Sequence, residues 1–253
     1  MRKSGLGKSF GRVAVLACAA GTAALAAGTA RAAIEITEVD PTGSGSTNTY
    51  NQDWFELTNT GSTAVDITGW AMDDNSHTYA DAVPLRGVTS IAAGQSVVFI
   101  EDGATNTNDA TLDATFESFW FGSNVPAGFT VGNYGGSGVG LSSSADEVNI
   151  YNASGTEVVG VGFNASTAGV SFDNSAGIGS ATQPDPIIST LSQVGVNGAF
   201  ASANAVAGDA NEIGSPGYAP VAAVPEPTSA LIFAAGAGVL LARRAARRGG
   251  AQA

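Results

Sequence analysis

His77 and Cys18 are the only histidine and the only cysteine in this chain, so any imidazole or thiol chemistry must use them. A Ser–His–Asp relay would have to pass through His77, yet no Gly-x-Ser-x-Gly elbow lies before or after it. The run Asp73-Asp74-Asn75-Ser76-His77 is polar and turn-like, so His77 is expected to be a solvated loop residue. Zinc sites draw on His and Cys ligands, and so small a supply predicts none. Carboxylates are abundant enough for a glycosidase-type acid/base pair, but no feature of the sequence marks one. Hard oxygen ligands for calcium stand at loop spacing in two places, Asp73-Asp74-Asn75 and the set Asp102, Asn106, Asn108 and Asp109. Neither follows the Asp-x-Asp-x-Asp-Gly order of a hand-type loop, and the default reading of both is Asx turns bonding their own backbone. The expectation is no catalytic residue, no cofactor residue and no assigned metal ligand, with calcium the one ion left open.

Aromatic residues form the other constellation. Phe116, Phe119, Trp120 and Phe121 cluster within six positions. On a short helix their rings would cover one end of a sheet; on a surface, Trp120 would offer a platform for sugar rings.

The elements that must position these groups read as short strands. In Trp54-Phe55-Glu56-Leu57-Thr58, Phe55 and Leu57 fall on one face and Trp54, Glu56 and Thr58 on the other. Asn59-Thr60-Gly61 supplies a turn, and Val65 and Ile67 resume the alternation, which predicts that these two segments are antiparallel neighbours. Ile34–Val39 is a first strand, Val83-Pro84-Leu85 starts another extended run, and Ser96–Ile100 suits a strand buried on both sides. Residues 101–115 and 131–140 are expected to be loops. Residues 146–151 and 157–163 flank Asn152-Ala153-Ser154-Gly155-Thr156 as a hairpin. Residues 164–210 are expected to be mostly loop with one edge strand. Short strands with frequent turns and no long amphipathic helix indicate an all-β sandwich or barrel.

Charge is sorted along the chain. Residues 33–224 hold 21 of the 22 acidic residues and a single base, Arg86. Such a body repels phosphate backbones, which excludes nucleic acid as a direct partner.

The remaining bases lie at the two ends, each beside an apolar run. Residues 1–32 have the basic, apolar and small-x-small layout of a signal peptide, with Ala30 and Ala32 placing signal peptidase cleavage before Ala33. An N-terminal anchor and lipoprotein processing at Cys18 are the rival readings. Once the run is removed, the mature chain has no thiol and no disulfide. At the other end, residues 218–224 read as a linker to Pro225-Glu226-Pro227. An apolar helix follows at about 228–242, with a basic tail from Arg243 and Arg244 to residue 248. The helix falls short of the ~20 residues that span a full bilayer. The arginines would hold that end in the cytoplasm.

Residues 225–248 resemble the PEP-CTERM sorting signal, in which a Pro-Glu-Pro tripeptide, a hydrophobic helix and a basic tail are recognised by an exosortase. An ordinary tail anchor is the alternative. Between the ends, the order Ile36-Thr37-Glu38-Val39, Trp54–Asn59, Val65–Trp70, Ile91-Ala92-Ala93-Gly94 and Gly214-Ser215-Pro216-Gly217 resembles a lamin tail domain across residues 33–217. That resemblance implies an immunoglobulin-like β-sandwich with a non-catalytic, binding or structural role. The chain departs from the family in a long segment from Asp102 to Gly140, and in Val170 where a basic residue is common. The expected route is export, transient membrane anchoring through the C-terminal helix, and sorting to the cell surface or extracellular matrix. Polysaccharide or a surface protein is the expected partner there. A calcium-dependent adhesion module and an extracellular hydrolase are the alternatives.

Overall fold

The computed structural model describes residues 34–43, 50, 52–103, 107–204 and 211–220. The expected signal peptide with Ala30, Ala32 and Ala33, and the expected sorting signal with Pro225, Glu226, Pro227, Arg243 and Arg244, lie outside these residues. In chain order the elements are β1 (Ile34–Asp40), β2 (Trp54–Asn59), β3 (Val65–Asp66), β4 (Ala71–Asp73), β5 (Val83–Pro84), β6 (Ser90–Ile91) and β7 (Ser96–Asp102). Helix α1 (Asp109–Phe121) follows, then β8 (Val131–Gly135), β9 (Asp146–Tyr151), β10 (Glu157–Phe163), β11 (Phe172–Asp173), β12 (Ile187–Ile188), β13 (Phe200–Ala201) and β14 (Ile213–Gly214). Two five-stranded sheets form, in the orders β11-β1-β2-β7-β8 and β12-β10-β9-β4-β5.

Alternation decides which side chains these sheets bury between them. Phe55, Leu57, Val97 and Phe99 from the first sheet meet Met72, Val148, Ile150, Val161 and Phe163 from the second in one core. The fold is thus an immunoglobulin-like β-sandwich, as the resemblance implied. Strand β1 keeps its hydrophobics on that core only because of a bulge between Ile36 and Glu38, where Ile36 faces Leu57 and Glu38 faces Glu56. One extra residue reverses the parity, so Ile34, Ile36 and Val39 all point inward and two consecutive residues, Thr37 and Glu38, point outward.

The outer face of the first sheet is also buried. Trp54, Val98 and Ile100 join Tyr50 and the helix residues Phe116, Phe119 and Trp120 in a second cluster. The spacing 116, 119 and 120 puts these three rings on one helical face. Trp54 meets Phe116 and Trp120 edge-on at 5.8 and 6.0 Å, geometry that adds ~0.5–1.5 kcal/mol per pair beyond simple burial. Trp120 is 1% exposed, so it is core and offers no platform to sugars. The continuous apolar run at 97–100 is buried on both sides, its residues alternating between the two clusters.

The structure corrects four expectations. Strands β2 and β3 are not neighbours: β2 lies between β1 and β7, while β3 pairs with β6. The Asn-Thr-Gly turn leads the chain out of the first sheet rather than back along it. Residues 131–135 are strand, pairing in parallel with β7. Gly132 is required there because a Cβ would stand 2.6 Å from the Phe99 ring. The expected polar loop at 101–115 contains the start of α1 at Asp109. Residues 164–210 supply β11, β12 and β13 rather than one edge strand.

Candidate functional site

Two groups of acidic side chains are drawn into the sandwich, one on the outer face of each sheet. On the first sheet, Glu38 and Glu56 stand directly opposite each other and are both fully buried. Their oxygens are occupied. Glu38 accepts from the hydroxyl of Ser171, from the backbone N–H of Ser215 at 2.8 Å and from the Ser215 hydroxyl at 2.9 Å. Glu56 accepts from the Thr37 hydroxyl at 2.7 Å and from the Gly217 N–H at 2.6 Å. Burial pushes both carboxyls above their ordinary range. This pair therefore clasps residues 215–217 onto β1 and β2. With no exposed oxygen, it cannot serve the acid/base hydrolysis considered from composition.

The second group lies on the outer face of the second sheet. Glu147 and Asn149 project from β9, where their cross-strand partners on β10 are Gly162 and Gly160. Two glycines leave that face flat, and residues 180–186 arch across it. Gly160 exchanges backbone hydrogen bonds with Ser180, and the Gly162 N–H donates to the Pro186 carbonyl at 3.0 Å. Between these anchors the chain delivers Asp185 over Gly160. A Cβ on Gly160 would stand 2.3 Å from Asp185 Oδ2 and 2.4 Å from Asn149 Oδ1. No residue but glycine leaves room for those two oxygens.

His77 enters from the turn after β4. Its backbone adopts φ 50°, and Asp73 braces the turn by accepting from the Ser76 hydroxyl and the Thr78 N–H, both at 2.8 Å. The ring's Nε2 contacts Glu147 Oε2, and its Nδ1 lies 2.7 Å from the Gln183 amide nitrogen. His77 Nε2 or Nδ1 and one carboxylate oxygen each from Glu147 and Asp185 all lie within 4.8 Å of one another. Asp185 is 7% exposed, and neither of its oxygens has a hydrogen-bond partner. Burial raises the Asp185 carboxyl, the nearby Gln183 side chain pulls it down against that effect, and the Glu147 charge adds to the rise. Nearby Glu157 is raised by burial and by the charge of Asp185.

In the oxygen-rich runs considered for calcium some oxygens are engaged, while Asp73 Oδ1 and Asp102 Oδ2 have no hydrogen-bond partner. Asp74 Oδ1 accepts from the Ser76 N–H in an Asx turn, while the Asn75 N–H donates to Asp146. Asp109 receives both arms of Arg86, at 2.7 and 2.8 Å, so the single base of the acidic body is committed to the start of α1. Asp102 Oδ1 accepts from the Gly103 N–H, Asn108 occupies the helix N-cap position, and Asn106 lies outside the described residues. His77 was expected to be a solvated loop residue, and its side chain is in fact only 24% exposed and partnered. The sequence did not connect it with Glu147 and Asp185, which lie far along the chain. The nearest signal was the Gly-Val-Gly of β10, a break in an otherwise β-branched strand that marks a close approach.

Among the described residues no helix is long and apolar enough to cross a membrane. No curated protein matches the chain. The family model of the lamin tail domain matches residues 27–165, from ahead of β1 to just past β10. Lamin tail domains are immunoglobulin-like and generally non-enzymatic, in keeping with a binding or structural role. With both sheets of the sandwich in place and more than half of its length matched, the chain belongs to the lamin tail domain family.

Proposed function

We propose that this chain is an exported, non-catalytic sandwich module, sorted to the cell surface or extracellular matrix, where it binds polysaccharide or a surface protein. The observation that carries this reading is the partition of charge: 21 acidic residues and one base between residues 33 and 224, with every other base beside an apolar run at one end. Basic flanks beside apolar runs are what the export machinery and the membrane potential read, and an acidic, cysteine-free body suits life outside the cytoplasm. Signal peptidase would act before Ala33. An exosortase would act at Pro225-Glu226-Pro227, with the segment at about 228–242 holding the precursor in the membrane and Arg243 and Arg244 on its cytoplasmic side. Membership of a generally non-enzymatic family supports the binding role.

Cell fractionation with mass spectrometry of the chain termini tests this. The expected product begins at Ala33 and is found at the surface or in the medium. Replacing Pro225 and Pro227 together by alanine should hold it at the inner membrane. An intact chain, still carrying residues 1–32 and recovered from the cytosol, would overturn the proposal.

A further inference from the structure

We propose that His77, Glu147 and Asp185 bind a divalent transition-metal ion, zinc or manganese, on the outer face of the second sheet. Two carboxylates and an imbalance of charge would not suffice alone. The decisive observation is Asp185: it is 7% exposed, aimed into the group, and both its oxygens are without a hydrogen-bond partner. A buried carboxylate in that condition is costly unless a cation or a proton accompanies it. Among the described residues no lysine or arginine is at hand, because Arg86 is bound to Asp109, and the His77 ring makes its ion pair with Glu147 rather than Asp185. Asn149 sharpens the case. It is fully buried, its amide N–H donates to the Asp74 carbonyl, and its Oδ1 is left unpartnered beside Asp185 Oδ2 over Gly160. One imidazole nitrogen, two carboxylates and an amide oxygen then converge from three separate segments.

This donor set selects the ion. An imidazole among carboxylates suits zinc or manganese, whereas calcium and magnesium favour all-oxygen shells. Gln183 fits the second shell. With His77 Nε2 on the metal, Nδ1 carries the proton, and rotating the Gln183 amide presents its carbonyl to accept it. The His77 and Glu147 side chains are 24% and 23% exposed, so the site opens to solvent on one side. An ion there would pin the turn after β4 and the arch at 180–186 to β9 and β10.

The test uses the untagged full-length protein, stripped with a chelator and dialysed against zinc, manganese or calcium chloride. Bound metal is measured by elemental analysis and stability by thermal melting. The expected result is about one zinc or manganese ion per chain with a raised melting temperature. Because His77 is the only histidine, its ring signals in the NMR spectrum report occupancy directly. Zinc should shift them and fix one tautomer. Gln183→Ala should weaken binding by roughly 10- to 100-fold, and His77→Ala by more than that. Asp185→Asn should abolish retention while melting at or above the wild type in metal-free buffer, an inversion that mere misfolding would not produce. Asp66→Asn, at the exposed end of β3, should bind as the wild type does. No retained metal, equal retention by Asp185→Asn, or a response to calcium without one to zinc or manganese would each overturn the assignment.

Discussion

Glu38 with Glu56 and Asp185 with Glu147 are carboxylate pairs on equivalent faces of the two sheets, yet their surroundings differ in kind. The first pair is sealed from solvent and meets hydroxyl and backbone donors on both glutamates. The second is open on one side, and its most buried member meets none. Burial alone therefore does not distinguish a structural acid from a ligand-binding one. The supply of donors does. A carboxylate whose acceptor sites are filled by its own chain has completed its bonding on folding, while one left empty retains capacity for something else.

Substitutions can break this contrast. Glu38→Leu strands the Ser215 N–H and the Ser215 hydroxyl in the interior, at ~1–3 kcal/mol for each unsatisfied group, while the Ser171 hydroxyl keeps Ser192 as a partner. Urea denaturation should show a loss of about 3–5 kcal/mol, or no folded protein. Glu38→Gln, which mimics the protonated acid, should cost far less. Next in size is Gly160→Ala, whose Cβ would collide with Asp185 Oδ2 and Asn149 Oδ1. Overpacking of that kind costs about 1–3 kcal/mol. In contrast to Glu38→Leu, it should leave the first sheet's clasp intact and displace Asp185. A crystal structure of the variant would show the arch lifted.

The smallest expected effect is a slope with pH. Burial raises the carboxyl of Asp40 to about 6 and that of Asp53 to about 8, and lifts Glu38 and Glu56 in the same direction. The folded chain thus holds protons that the unfolded chain releases near pH 4 to 4.5. Their contribution is complete below that range and is lost as pH rises through the folded values. Stability should fall between about pH 5 and pH 8, by an amount on the order of 1 kcal/mol or more. Calorimetry across this range checks the sign. A melting temperature that rises with pH would show that these acids are ionised in the fold.

Local features of the fold were legible where short-range physics decides them. The β9–β10 hairpin was readable because Asn152-Ala153-Ser154-Gly155-Thr156 closes a turn on itself, with Asn152 Oδ1 accepting from the Ser154 N–H at 2.9 Å. The helical aromatic face at 116–120 and the doubly buried run at 97–100 were readable from side-chain size and run length alone. Partner choice was not. Strand β2 pairs Thr58 with Ser96, residues 38 positions apart, and nothing in the Asn-Thr-Gly turn reveals that. Strand β8 was hidden by its glycines, of which Gly132 makes room for the Phe99 ring. The candidate site was the least legible part. His77 reads as a solvated loop residue, and Glu147 and Asp185 carry no mark at all, until the arch over Gly160 brings the three within reach of one another.

The clasp between the first strands and residues 215–217 has a bearing on how a nascent chain matures. Glu38 and Glu56 leave the ribosome early, but the backbone donors that neutralise them arrive some 160 to 180 positions later. Until then the sandwich contains two acids with incomplete shells, and a chain cut after residue 165, where the family match ends, would never supply them. The last turn of the domain works as a latch, and a recombinant fragment intended to be stable should run through Gly217.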